Sequence, residues 1–200
     1  VQEIPSDKQG QLPRVDLELH AGFQPGLLYE LIYEAQDPLV HGVTFASVRD
    51  LMSALKQGSG KNNPLLHNGK PIVKRNHGFG VSQSGRYLRE LLYFGFNADE
   101  SGRKVFDGLI PHVAGGGLGS FNHRFAQPTA YNSQHIYHEW PSDRFPFTYS
   151  EQTDHITGRK DSILRRAAAA NVQPFVLHTQ SAAEYWTRSG SLAHTNTQAT

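Results

Sequence analysis

The stretch Gly80-Val81-Ser82-Gln83-Ser84-Gly85 constrains this chain more than any other. An apolar segment, Ile72 to Val81, runs into it, and an amphipathic pattern runs out of it. Leu88, Leu91, Leu92 and Phe94 fit one face of that second segment, which predicts a helix. A strand that turns into a helix within one residue has no room for bulk two positions before or after the turn. It also pushes the turning side chain above the sheet edge. A serine set there offers its hydroxyl for nucleophilic attack. Gly80 and Ser84 are the small flanking residues, so a serine stands where such turns usually carry a second glycine, and Gly85 follows at once. The arrangement predicts Ser82 as a nucleophile.

Two other glycine-rich patterns fail on these residues. A dinucleotide fingerprint starting at Gly78 needs a glycine at position 83, where Gln83 stands. A phosphate loop starting at Gly80 reaches Gly85 at the right spacing, then needs Lys and Ser/Thr and meets Arg86 and Tyr87. No cofactor is therefore expected. A structural turn without chemistry is the plain alternative, since fold and function separate easily.

Two hundred residues, 38% of them hydrophobic, suffice for one domain with a sizeable core. Lys+Arg 19 against Asp+Glu 18 gives a net charge of +1, without the basic excess that nucleic-acid binding needs. No apolar run approaches the roughly 20 residues of a membrane span. The absence of cysteine removes disulfides, cysteine zinc sites and thiol catalysis, and leaves the compartment open. No targeting signal follows Val1, and the missing initiator methionine points to processing or fragmentation upstream.

Along the chain, residues 1–25 carry three prolines and predict an irregular lead-in. Gly26 to Ala35 (GLLYELIYEA), between Pro25 and Pro38, predicts a strand. Phe45, Val48, Met52 and Leu55 predict a helix over about 44–57, ended by Gly58. Gln57 to Pro71 reads as a polar connection. Val105 to Val113 predicts a buried strand, and Asp161 to Asn171 a short helix with Asp161 as its cap. Pro174 to His178 predicts a further strand and Ala182 to Arg188 a helix. This alternation predicts an α/β fold: a mostly parallel sheet with right-handed crossovers, helices on both faces, and function at the carboxyl ends of its strands.

The run GVSQSGRYLRELLYFGFNADESGRKVFDGLIPHVAGG, followed by GSFNHRFAQP, resembles a bacterial group of large α/β-hydrolase-domain proteins. So do DPLVHGVTFASVRDLMSALK upstream and HTQSAAEYW downstream. The resemblance runs from about residue 20 to the end. It implies an α/β-hydrolase fold and a serine-hydrolase mechanism, and nothing firm about substrate; hydrolysis of a small-molecule carboxylic ester through an acyl-serine intermediate is the leading expectation. Ser82 takes the nucleophile's place, with the Gln83 amide as one oxyanion donor. The acid of this fold follows a late strand. Glu184, just beyond Pro174 to His178, stands there; an ordinary solvent-facing glutamate is its alternative. No histidine follows a further strand beyond Glu184, since His194 lies in a polar tail. The chain thus resembles the middle of a hydrolase, incomplete at both ends, with its base beyond Thr200 and its second oxyanion donor upstream. A non-catalytic fragment or binding module is the competing expectation.

The segment from about Ala114 to Lys160 lacks periodicity and exceeds ordinary connections, yet carries eight aromatics, including Tyr131 and Trp140. Following the strand next to Ser82, it is expected to cap the site, with Tyr131 and Trp140 lining a substrate pocket or else packing a small subdomain of their own. His135 and His138, near His123 and His155, have no third ligand at a telling spacing, so no metal is expected. Asn97 to Gly102 lacks the alternating ligands of a calcium loop and reads as a turn. Asp107 and His112 flank a strand and are candidates for a supporting shell, with a partner-satisfied structural role as the alternative for each. Oligomeric state is not legible.

Overall fold

The computed structural model describes residues 2–4, 14–27, 29, 31–34, 36–37, 42–119, 121 and 143–195. The chain divides into two compact units, Val1–Asp37 and Pro38–Thr200. The first contains an antiparallel pair, β1 (Gln2–Ile4) and β2 (Arg14–Asp16). Beyond it, the described residues of 26–35 form no strand. Leu27, Tyr29, Leu31, Ile32 and Tyr33 are exposed. This corrects the expectation for GLLYELIYEA: an apolar run becomes a strand only when a neighbour takes up its backbone bonds.

The second unit opens with α1 (Thr44–Gln57), which ends at Gly58 as its pattern predicts. Asn63 donates its side-chain amide to the carbonyls of Ala54, Leu55 and Gly58, satisfying the orphan acceptors of the helix end. The connection that follows holds a small hairpin, β3 (Leu66–His67) and β4 (Lys70–Pro71). Its turn is Asn68-Gly69, both at positive φ, the pair favoured in two-residue hairpin turns.

Three parallel strands form the central sheet in the order β5 (His77–Val81), β6 (Gly108–His112), β9 (Phe175–Val176). Between β6 and β9 lie an antiparallel pair, β7 (Gln152–Thr153) and β8 (Lys160–Asp161), and the short helix α3 (Arg165–Ala169). Helix α2 (Gln83–Tyr93) follows β5, and α4 (Ala182–Thr187) follows β9. The strands are shorter than their apolar runs: Lys74 and Arg75 fall outside β5, and Val105 outside β6.

One face of the sheet supports the core, where Phe45, Leu88, Leu91, Leu92, Leu109 and Ile163 are buried together. On the opposite face Phe79, Val81, Phe175 and Leu177 are exposed. Asp161 does not cap a helix as its position predicts. It is buried in β8, accepting from Tyr93 Oη and Arg159 and pairing with Arg165, while α3 starts after Leu164 with no side-chain cap.

Candidate active site

Two conditions at the end of β5 create the turn. A Cβ at Gly80 would collide with the Ser84 carbonyl and the Gly85 nitrogen, and one at Gly85 would meet Ala114 Cβ and the Gly80 oxygen, each at 2.9 Å. The backbone therefore reverses over two bare α-carbons. The closely packed position after the serine is Gly85; Ser84, the residue spaced like the second small flank, is exposed. Between them Ser82 adopts φ 55° and ψ −115°, a conformation that a residue with a Cβ rarely takes. Its N–H donates to the His112 carbonyl at 2.9 Å, and its carbonyl accepts from Arg86 N at 3.0 Å. Ser82 is exposed at the carboxyl edge. Gln83 is the first helical residue, so its N–H belongs to the turn of a helix that has no internal acceptors.

Register carries the geometry across the sheet. Val81 pairs with His112, and His112 bridges to Thr179 beyond β9. The Val113 N–H donates to the Thr179 carbonyl at 2.8 Å. The chain beyond β9 thus leaves the same edge as Ser82, two strand spacings or about 10 Å away. Five residues after Thr179 stands Glu184, in the first turn of α4. Its carboxylate accepts from the Ser181 N–H at 3.2 Å and from the Ser181 hydroxyl, forming a capping box. The Ser181 hydroxyl holds it below the usual carboxylate range, so it is an anion at neutral pH.

Below this edge lies a polar cluster that the sequence did not reveal. Arg89 of α2 is fully buried. It donates to the carbonyls of Gly116 (2.5 Å) and Phe147 (2.8 Å) and faces His178 Nδ1 at 3.3 Å, with its guanidinium 5.2 Å from the Tyr149 ring centre. Tyr149 Oη also contacts His178 Nδ1, at 3.0 Å. Burial, then the charge of Arg89, pushes His178 down to about 3. An imidazole that holds a proton so weakly is poorly matched to general-base work near neutrality. Its neighbour Glu90 is pushed up to about 8 by burial, against the opposing pull of the Gly119 N–H, Arg86 and Arg89. In sequence, Arg89-Glu90 reads as the wet side of an amphipathic helix. The segments 114–119 and 143–149 cover it, a long-range contact with no local signal.

Among the described residues no histidine is hydrogen-bonded to Ser82 or Glu184. His112 Nδ1 contacts Thr179 Oγ1 at 2.7 Å, and His194 stacks on Tyr185. Asp107 belongs to the other end of the sheet, where it pairs with Lys56 Nζ at 2.7 Å and accepts from Asn76 N–H. It does not support the Ser82 edge. Asp99 accepts from Ser53, Ser101 and Arg103 in the turn after α2. Tyr131 and Trp140, with His123, His135 and His138, lie outside the described residues. No group of three His, Cys, Asp or Glu is arranged to hold a metal among the described residues. Among them too, no helix is long and apolar enough to cross a membrane.

A family model described as an alpha/beta hydrolase domain matches residues 16–198. The chain belongs to that family. No curated protein and no solved structure matches it at a significant level. Among the described residues, three parallel strands, with a helix leaving the first and another following the third, agree with that fold.

Proposed function

We propose that this hydrolase domain cleaves carboxylic esters through an acyl-serine intermediate. Ser82 Oγ attacks the ester carbonyl, an imidazole takes its proton, and the oxyanion rests on the Gln83 N–H. Collapse expels the alcohol, which recovers that proton, and water then releases the acid. The observation that carries this proposal is the backbone of Ser82 (φ 55°, ψ −115°), held between glycines that admit no side chain. Strain of this kind costs on the order of 1–3 kcal/mol and gathers where geometry serves chemistry.

Glu184 is the acid that orients the imidazole. It leaves the same sheet edge two strands from Ser82. An imidazole hydrogen-bonded at both nitrogens separates its partners by roughly 7–8 Å, which a two-strand gap accommodates. The base itself comes from outside the described residues.

A fluorophosphonate reagent applied to the whole protein is expected to label Ser82 and to lose all labelling in Ser82→Ala. Ester turnover should fall about a millionfold in the same variant. Labelling that survives the substitution overturns the assignment. The competing possibility, a binding module without turnover, is motivated by the lack of a described histidine bonded to Ser82 or Glu184. It predicts neither labelling nor hydrolysis of short acyl esters.

A further inference from the structure

We propose that Arg89 is a positioning residue, whose guanidinium fixes the helix bearing Glu184 relative to the helix that starts at Ser82. The inference rests on the assignment of Glu184 as the acid.

Arg89 lies on α2, two turns beyond Ser82. Its hydrogen-bond contacts among the described residues fall on three separate segments: Gly116 after β6, Phe147 in the return toward β7, and His178 at the end of β9. Two of these lead directly to α4. Beyond His178, the Gln180 amide contacts His178 Nε2 at 2.8 Å while its oxygen accepts from the Gly115 N–H at 3.1 Å. The next residue, Ser181, closes the capping box on Glu184. At the other end of α4, the Gly116 N–H donates to the Arg188 carbonyl at 2.8 Å. Gly115 and Gly116 therefore hold α4 at both ends, and Arg89 holds Gly116.

The fit leaves no slack. A Cβ at Gly115 would lie 2.7 Å from the Arg188 oxygen, and one at Gly116 would lie 2.8 Å from the Ser189 carbonyl carbon. Gly85 and Ala114 close the same strip against α2. The contacts from the serine turn to the acid helix run through the buried Arg89, the half-buried His178 and Gln180, and the backbone of Gly115 and Gly116.

A guanidinium suits this task because its planar fork sends donors in several fixed directions at once. A stability role alone explains it poorly. Arg89 forms no ion pair with a carboxylate among the described residues, and its Nε has no hydrogen-bond partner there. Burying a charge that way is costly, and an apolar side chain of similar size would be tolerated better. His178 complements the arrangement, since its suppressed basicity leaves the imidazole neutral, with one ring nitrogen free to accept.

The experiment is a double-mutant cycle on the whole protein, measuring kcat and KM for a short acyl ester together with the rate of fluorophosphonate labelling. Arg89→Lys keeps the charge and loses the fork. Displacing the acid by about an ångström should lower kcat by roughly 10–100-fold, with KM changed less than about twofold. In a Glu184→Gln background the same substitution should cost less than about twofold, because the misplaced group no longer acts. Equal losses in both backgrounds would make Arg89 purely structural and overturn the proposal, as would wild-type kcat in Arg89→Lys. If Arg89→Lys does not fold, Gln180→Ala cuts the link between His178 and Gly115 and is read through the same cycle, with the same two outcomes. A Glu184→Gln enzyme with near-normal kcat overturns the acid assignment instead, and is visible before Arg89 is touched.

Discussion

The two ends of the central sheet solve opposite problems. At the amino end, asparagines and an ion pair satisfy the backbone where strands begin. Asn76 donates its side-chain amide to the carbonyls of Met52 and Val105. Asn97 exchanges bonds with Phe106 and also donates to Val172. Asp107 accepts from Lys56 and from Asn76 N–H. Burial pulls the Asp107 carboxyl up, yet those partners outweigh it and hold the carboxyl below its usual range.

At the carboxyl end the rules are broken. Ser82 and Val113 leave adjacent strands at positive φ. Among the described residues Arg89 Nε and Glu90 Oε1 are buried without hydrogen-bond partners, while His178 and Glu90 are displaced to about 3 and about 8. A chain that can pair its polar groups so thoroughly at one end does not leave them strained at the other by default. Such violations concentrate where a backbone must serve a reacting group, and the rest of the fold supplies the stability they cost.

The contrast can be broken most forcefully at Glu184. Glu184→Gln should lower kcat by about 10⁴ while the fold survives, because an amide can select the wrong imidazole tautomer and cannot stabilise the imidazolium. Steady-state kinetics with parallel circular dichroism measure both. Turnover within a few-fold of wild type would reduce Glu184 to a helix cap.

Asp107→Asn tests the opposite end. It neutralises the carboxylate paired with Lys56, whose side chain is only 10% exposed and keeps the Lys104 and Val105 carbonyls as acceptors. Urea unfolding should show a loss of roughly 2–4 kcal/mol, with kcat per folded molecule unchanged. A specific loss of kcat would erase the division between the ends.

The smallest effect is a pH dependence at the carboxyl end. Glu90 has a folded value raised from 4.5 to about 8, so the folded state prefers its proton. Its contribution to stability is fully present below pH 4.5, declines as pH rises above that, and is gone above about pH 8. His178 works the other way. Its folded value is lowered from 6.5 to about 3, so its contribution is complete above pH 6.5 and is lost as pH falls toward 3. Glu90→Gln, a permanently neutral isostere, should therefore match wild type near pH 4.5. It should become more stable than wild type by on the order of 2–3 kcal/mol at pH 7. Denaturation midpoints between pH 4 and 9 read this directly, and parallel curves for the two proteins would place the ionisation elsewhere.

Local pattern set several features without help. The spacing of Phe45, Val48, Met52 and Leu55 yields α1 with its end at Gly58, and Leu88, Leu91 and Leu92 yield the buried face of α2. The strand-to-helix turn at Ser82 was equally readable, because only residues without bulk permit it. Asn68-Gly69 marked a hairpin turn that a general reading of polar residues passed over. The strand expected in Gly26 to Ala35 and the cap expected of Asp161 failed for one reason. Each depends on a partner supplied from elsewhere, and Asp161 found Tyr93, Arg159 and Arg165 instead.

The sequence by itself determined the alternation of strands and helices, the turn that exposes Ser82, and the family, since these follow from periodicity, local sterics and extended motifs. Tertiary structure alone decided that Asp107 serves the wrong end of the sheet and that Arg89 and Glu90 are buried. It also decided that Glu184 caps a helix two strands from Ser82. The physical reason is range: a periodic pattern records which side of an element is apolar, whereas the charge state and partners of a polar group depend on segments tens of residues away that bury it.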